Sequence, residues 1–312
     1  MNLAIPDVRT LEIHPPTFNY QMSCRRSFGA GQRSDLGAPL LKTAIRDAAA
    51  LGYNFLSIAG EHSLFYSDLA LLCREAHRMR MLTTLTTRAG MLSARRMKTL
   101  VPSIDLLGLR YEAGMGRNLD PVRGSGIPYA LVFYLTPGNM GELESTAAFA
   151  AAHGAAMLHV QPVGELSDQV MATVWMMIEC LRDLHRGELA IQLDVLNRYN
   201  LISSDGGLNS WMTRLNGDQR FLGEQVSPLV IEENGTVVPL RHGFPRSMAL
   251  GSLRDATLVD MAAHWIHSRA DAFCNLYRKV LREAAPFGDL HQLLAEEAGR
   301  GRARFLVAGG CR

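Results

Sequence analysis

Cysteine is scarce in this sequence: five residues in 312, dispersed at Cys24, Cys73, Cys180, Cys274 and Cys311. An odd, scattered set is no framework for a disulfide-stapled fold, and it points to a reducing cytoplasm. Long apolar runs are missing too. The longest, residues 171–178, falls far short of the roughly 20 residues that span a bilayer, so no membrane partner is expected. Residues 1–10 include Pro6 and Asp7 and lack a basic stretch leading into an apolar one, so no secretory signal is expected. Nor is there an excess of one charge. With 32 Lys and Arg against 30 Asp and Glu, the net charge is +2, which gives no electrostatic footprint for nucleic acid.

What is present is the composition of a soluble globular chain. Hydrophobic residues make up 47% and charged residues 20%, enough apolar side chain to build a core and exclude wholesale disorder. The length suits one large α/β domain, or a domain with a small appendage.

Short apolar runs alternate with helical periodicity from about residue 17 to residue 195. Strands are expected at 17–21, 53–58, 81–86, 104–109, 127–135, 156–161 and 189–193. Helices are expected at 40–51 (ended by Gly52), 67–79 (Ser67 as N-cap), 93–100, 142–153 (ended by Gly154) and 166–184. Residues 111–125, rich in Gly, Arg and Asn, read as a loop. Repeated β-α units imply parallel strands with right-handed crossovers, in either a doubly wound sheet or a barrel. Beyond residue 197 the pattern breaks. A loop with a short helix near Trp211 leads to a hairpin in which residues 228–232 and 236–240 flank Glu233-Asn234-Gly235. A helix follows over 258–283, and residues 299–312, rich in Gly and Arg, are expected to be a loose tail.

Four local patterns, in order, resemble the radical SAM superfamily. Tyr20-Gln21-Met22-Ser23-Cys24-Arg25-Arg26-Ser27-Phe28 occupies the place of the family's C-x3-C-x2-C loop after the first strand. On that frame Cys24 keeps the middle cysteine, while Tyr20 and Ser27 replace the outer two. Ala59-Gly60-Glu61-His62 is similar to the family's Gly-Gly-Glu-Pro, which receives the amino group of S-adenosylmethionine. The stretch from Leu82 to Gly90 resembles the family's third strand with its "TTNG" ending. Residues 228–253, closing on Ala249-Leu250-Gly251-Ser252-Leu253, resemble the core hairpin of a SPASM-type extension without its cysteines.

The resemblance covers about residues 15–255. It implies an α/β fold, a partial six-stranded TIM-like barrel with its site at the C-terminal strand ends. The domain layout it suggests is an N-terminal segment (1–14), the barrel (15–196), a SPASM-like extension with helices (197–298) and the tail (299–312). The candidate S-adenosylmethionine pocket is Gly60, Glu61 and Thr86. Tyr20, Cys24 and Ser27 are vestigial cluster positions. Such a cluster is held by three protein thiolates. A phenol with a pKa near 10 and an alcohol are hard oxygen donors, poorly matched to it. The 4Fe-4S cluster is therefore not expected, and replacing the family's proline by His62 frees the φ lock of the pocket turn.

Other residues carry weaker signals. Glu61 and His62 at a strand end are candidates for an acid–base pair. Arg25 and Arg26 could grip an anion, although solvated arginines are commoner. His159 and Gln161 share one strand face, as do Gln192 and Asp194. Polar groups aimed into a barrel are costly unless paired or functional, which makes His159 and Asp194 candidates. His14, His77, His153, His185 and His291 show no metal spacing. His264 and His267 lack a third ligand, so no metal site is expected. Met171, Met176 and Met177 read as core packing.

Three readings follow, in descending order. In the first, the chain is a pseudoenzyme that binds a small molecule, a peptide or a partner protein at the barrel mouth, in a biosynthetic or modification pathway. In the second, it is an enzyme with a repurposed mouth that still binds S-adenosylmethionine. In the third, it is an active radical SAM enzyme with atypical ligands.

Overall fold

The computed structural model describes residues 8–16, 36–60, 63–164, 166–196 and 222–308. Parallel strands alternate with helices: β1 (Thr10–Ile13), α1 (Ala38–Ala50), β2 (Phe55–Ile58), α2 (Leu69–Arg78), β3 (Leu82–Arg88), α3 (Ala94–Leu100), β4 (Leu106–Arg110), α4 (Asp120–Arg123), β5 (Tyr129–Leu135), α5 (Leu143–Ala152), β6 (Met157–Pro162), α6 (Asp168–Leu184) and β7 (Ala190–Leu193). The C-terminal part adds α7 (Leu222–Gln225), β8 (Leu229–Ile231), β9 (Thr236–Pro239), β10 (Gly251–Ser252), α8 (Leu258–Glu283) and α9 (Leu290–Ala308).

All ten strands form one sheet in the order β10-β9-β8-β1-β2-β3-β4-β5-β6-β7. Every pair from β8 to β7 is parallel, and β8, β9 and β10 run antiparallel. The sheet is not closed. Helix α9 bridges its open side: Leu290 N–H donates to the Leu196 carbonyl just after β7 at 2.8 Å, and α9 also packs against the turn Arg246–Met248 between β9 and β10.

Period-two alternation gives the sheet two unlike faces. Leu11, Ile13, Leu56, Ile58, Leu85, Leu158 and Val160 are fully buried against the helices. Each such side chain contributes about 1.5–3 kcal/mol by leaving water. The alternate residues Glu12, Ser57, Thr84, Thr86, Arg88, His159 and Gln161 are only half-buried, so the inner face is polar and partly open. Helix α1 meets the outer face through Leu41, Ala44, Ile45 and Ala48. The chain leaves the helix through Gly52, where its end was expected, at φ +91°. Helix α8 spans the expected residues and buries Ala262, Trp265, Phe273, Val280 and Leu281.

Several expectations are corrected. The first described strand is Thr10–Ile13, within the stretch read as an N-terminal segment; residues 17–21 lie outside the described residues. Asp68, not Ser67, precedes α2, without a side-chain cap bond. The presumed loop 111–125 contains a 3-10 turn, Met115–Leu119, and α4. The tail expected to be loose is helical through Ala308. Met176 is 62% exposed, so it is not core, whereas Met171 is buried. The hairpin forms where expected, but it pairs directly with β1 and so extends the barrel sheet. Only Gly235 of the Asn-Gly pair has positive φ, at +89°. Its N–H donates to the Glu232 carbonyl at 2.8 Å, and the Asn234 side chain accepts from Thr236 N–H at 2.9 Å. This is the three-residue form of the turn, with a left-handed glycine at the bulge.

Candidate functional site at the barrel mouth

Because β1 to β7 run parallel, their C-terminal ends share one rim, the usual place for sites in such sheets. His14, Gly60, Arg88, Arg110, Gln161 and Asp194 stand on or just beyond those ends. Of the residues singled out from sequence, Tyr20, Cys24, Ser27, Glu61 and His62 lie outside the described residues, as do Arg25, Arg26 and Trp211.

Gly60 follows β2 with φ +104°, a conformation that disfavours any side chain. Among the described residues, a Cβ there would meet nothing nearer than His14 Nδ1, at 4.0 Å. Thr86 lies on the inner face of β3. Its carbonyl accepts from the Ser63 hydroxyl at 3.3 Å, which ties the turn after Gly60 to β3. Opposite Thr86, β4 has Gly108. A Cβ on Gly108 would come within 2.8 Å of Thr86 Oγ1, so the glycine makes room for that hydroxyl. Further along the rim, Arg88 Nε lies 3.4 Å from Glu112 Oε1, and the Arg110 guanidinium sits 5.0 Å above the Tyr134 ring.

At the β6–β7 side the structure brings two sequence candidates together. Asp194 Oδ2 accepts from Gln161 Nε2 at 2.8 Å and lies 3.6 Å from His159 Nε2. The His159 Nε2 atom is shielded from solvent and has no hydrogen-bond partner among the described residues. Gln192 pairs with His159 across the ladder.

At the β1–β8 side stands a group that sequence reasoning missed. His14 N–H donates to the Ile231 carbonyl at 2.9 Å, which extends the β1–β8 pairing and sets His14 beside the hairpin turn. His14 Nε2 is 2.6 Å from Glu12 Oε1, and its Nδ1 is 3.9 Å from Glu233 Oε1. His242 Nε2 bonds Glu233 Oε2 at 3.0 Å, and the two imidazole centroids are 4.6 Å apart. Burial pushes the Glu233 carboxyl up, but the bond from His242 and the nearby imidazoles outweigh it and hold it below the ordinary carboxylate range. That same bond raises His242 above its ordinary value, against burial. Buried Glu232 fixes the loop behind: Oε1 accepts from Gly243 N–H at 2.9 Å, and Oε2 meets Arg246 Nη2 at 2.5 Å. The available signal was the Glu12–His14 pair, two residues apart on one face of a short strand. His14 shows no metal-ligand spacing in the sequence, because His242 lies on a loop far along the chain.

The described cysteines sit on helices, away from this rim. Cys73 on α2 and Cys274 on α8 are buried, and Cys180 on α6 is exposed. Burial pushes the Cys73 thiol up to about 12.

Comparison with protein-family models finds no match, and comparison with curated proteins finds none either. Solved structures do match in fold. Streptococcus suis SuiB bound to S-adenosylmethionine superposes with a TM-score of 0.59 at 13% identity, over 85% of this chain and 67% of SuiB. SuiB bound to its precursor peptide SuiA gives 0.57 at 13% identity, over 85% of this chain and 66% of that one. Native anSMEcpe with bound AdoMet gives 0.56 at 11% identity, over 97% of this chain and 100% of that one. This chain thus spans about two thirds of SuiB and the whole of anSMEcpe. At such identities the likeness is one of fold: the chain is an open, partial α/β barrel of the radical SAM type.

Proposed function

We propose that this chain has lost the iron–sulfur cluster of its fold class and works without radical chemistry. It acts as a binding or accessory protein in a biosynthetic or modification pathway, taking a peptide or small molecule at the barrel mouth. The observation that carries this reading is the donor set. A cluster of this class needs three thiolates from the protein. In the motif loop only Cys24 is a cysteine, beside Tyr20 and Ser27. The described cysteines offer no replacement, since they lie on the helical layer and the Cys73 thiol stays protonated. The motif loop and the described cysteines therefore do not supply the three thiolates the cluster needs.

The inner face of the barrel supports a polar ligand. Thr86, Arg110, Tyr134, His159, Gln161 and Asp194 are half-buried or exposed there, and half-buried polar groups lining a concave surface suit a peptide backbone or a polar small molecule. SuiB with its precursor peptide and anSMEcpe with a bound peptide are parallels in the same fold.

A second reading is that the mouth still takes S-adenosylmethionine through Gly60, Glu61 and Thr86. It is favoured by the positive φ of Gly60, with nothing among the described residues nearer than 4.0 Å to a Cβ placed there, a geometry that suits close approach of a ligand to the backbone. One experiment tests both. The protein is incubated with S-adenosylmethionine and a strong reductant, and 5′-deoxyadenosine is measured alongside calorimetric binding. No deoxyadenosine is expected under either reading. Binding that weakens in Glu61→Ala supports the second. Deoxyadenosine formation that depends on Cys24 overturns the loss of radical chemistry.

A further inference from the structure

We propose that His14, Glu233 and His242 bind one divalent transition-metal ion of the zinc class, with Glu12 orienting His14. The site is independent of the cluster question, because none of its residues belongs to the cysteine motif.

One ligand atom from each of the three residues lies within 4.8 Å of the others. A tetrahedral ion with bonds of about 2.0–2.1 Å needs donors about 3.4 Å apart. Glu233 and His242 side chains are 46% and 48% exposed, so they are free to close that gap without disturbing the core. His14 is the fixed member. It is 16% exposed, and its backbone is pinned by β1–β8 pairing.

The second argument is the tautomer. Glu12 Oε1 lies 2.6 Å from His14 Nε2. This carboxylate favours the tautomer in which Nε2–H donates to it, and in that tautomer Nδ1 keeps its lone pair on the side of Glu233, 3.9 Å away. A carboxylate holding the far nitrogen of a ligating histidine is the usual outer support of such sites. The loop bearing His242 is supported in turn, since Glu232 grips Gly243 and Arg246 around it. Two imidazoles and one carboxylate suit zinc, cobalt or nickel better than calcium or magnesium, which require oxygen donors. Three protein ligands leave a fourth position for water or substrate. Gly60 borders that position: a Cβ there would stand 4.0 Å from His14 Nδ1.

The test uses tag-free full-length protein stripped with a chelator. Zinc is titrated by calorimetry, and cobalt by visible absorption. One equivalent of each is expected, with cobalt ligand-field bands. His242→Ala is expected to weaken zinc by about 100-fold or more, since outer partners alone are worth about 10–100-fold. His242 is half exposed, so the variant keeps its fold, and circular dichroism checks this. Cys24→Ala is expected to keep its equivalent. The proposal is overturned if the wild type takes up no ion, if uptake is unchanged in both His242→Ala and Glu233→Ala, or if uptake is lost in Cys24→Ala.

Discussion

Glu12 and His14, two residues apart on the inner face of the first strand, are joined by a 2.6 Å contact between Oε1 and Nε2. The contact presents His14 Nδ1 toward Glu233 on the neighbouring hairpin, 3.9 Å away. A strand of four residues and its pairing with β8 thereby set His14, just past the strand's end, at the rim.

Replacing Glu12 by Gln keeps the shape but removes the charge that fixes the tautomer. Zinc affinity is expected to fall about 10-fold to 100-fold, with the stoichiometry unchanged at one. Competition with a chromophoric chelator measures it, and an unchanged affinity would remove Glu12 from the site.

Glu75 on α2 is buried and meets Arg46 Nε at 2.5 Å, Arg78 at 3.5 Å and Lys42 at 3.6 Å. The hydrogen bond from Arg46 holds its carboxyl below the ordinary range, with burial opposing and the Arg46, Lys42 and Arg78 charges assisting. A carboxyl depressed in the folded state contributes stability that is complete above its unfolded value, about 4.3. That contribution is lost as pH falls through the folded value. Glu75→Gln is therefore expected to be less stable than the wild type at pH 7, by about 1–3 kcal/mol, and the gap should narrow as pH falls below the ordinary carboxylate range. Parallel denaturant unfolding of both proteins over a pH series downward from 7 checks this.

Trp265 on α8 is fully buried, and its indole N–H donates to the Met248 carbonyl at 3.0 Å. Trp265→Ala is expected to cost about 3–5 kcal/mol by opening a cavity. Trp265→Phe keeps most of the packing but leaves that carbonyl unpaired. It should cost less, about 1–3 kcal/mol from the lost bond. Denaturant unfolding of both variants gives the difference.

Asp194 bonds Gln161 but is an exposed residue whose side chain is 48% accessible. Asp194→Ala is expected to change stability by no more than about 0.5 kcal/mol, because the group is largely solvated. A loss above about 2 kcal/mol in urea unfolding would make it a structural residue.

Long periodic elements were legible in the sequence because their signal is local. Helix α8 keeps one apolar stripe over many turns, and β5 is a continuous apolar run. The short first strand was not legible: Thr10–Ile13 supplies two inward and two outward residues before Pro15 and Pro16. Helix α9 was hidden by Gly299, Gly301 and a run of arginines, whose low helix propensity or charge suggests a tail. The placement of the hairpin was hidden as well. Its turn chemistry is local, but its partner β1 lies at the opposite end of the chain. His14 and His242 meet only through that pairing, so no spacing rule reaches them. The proximity of His159 and Asp194 was legible because alternation puts His159 and Gln192 on one face of adjacent strands, and Asp194 follows two residues on, just past β7.

The loss of the cluster is the claim on which the proposed function turns, and the most direct measurement is the iron and acid-labile sulfide content of anaerobically isolated, reconstituted protein. The account predicts iron well below one equivalent, a colourless sample and no cluster signal by electron paramagnetic resonance after reduction. About four irons and four sulfides per chain, retained after desalting and lost in Cys24→Ala, would contradict it.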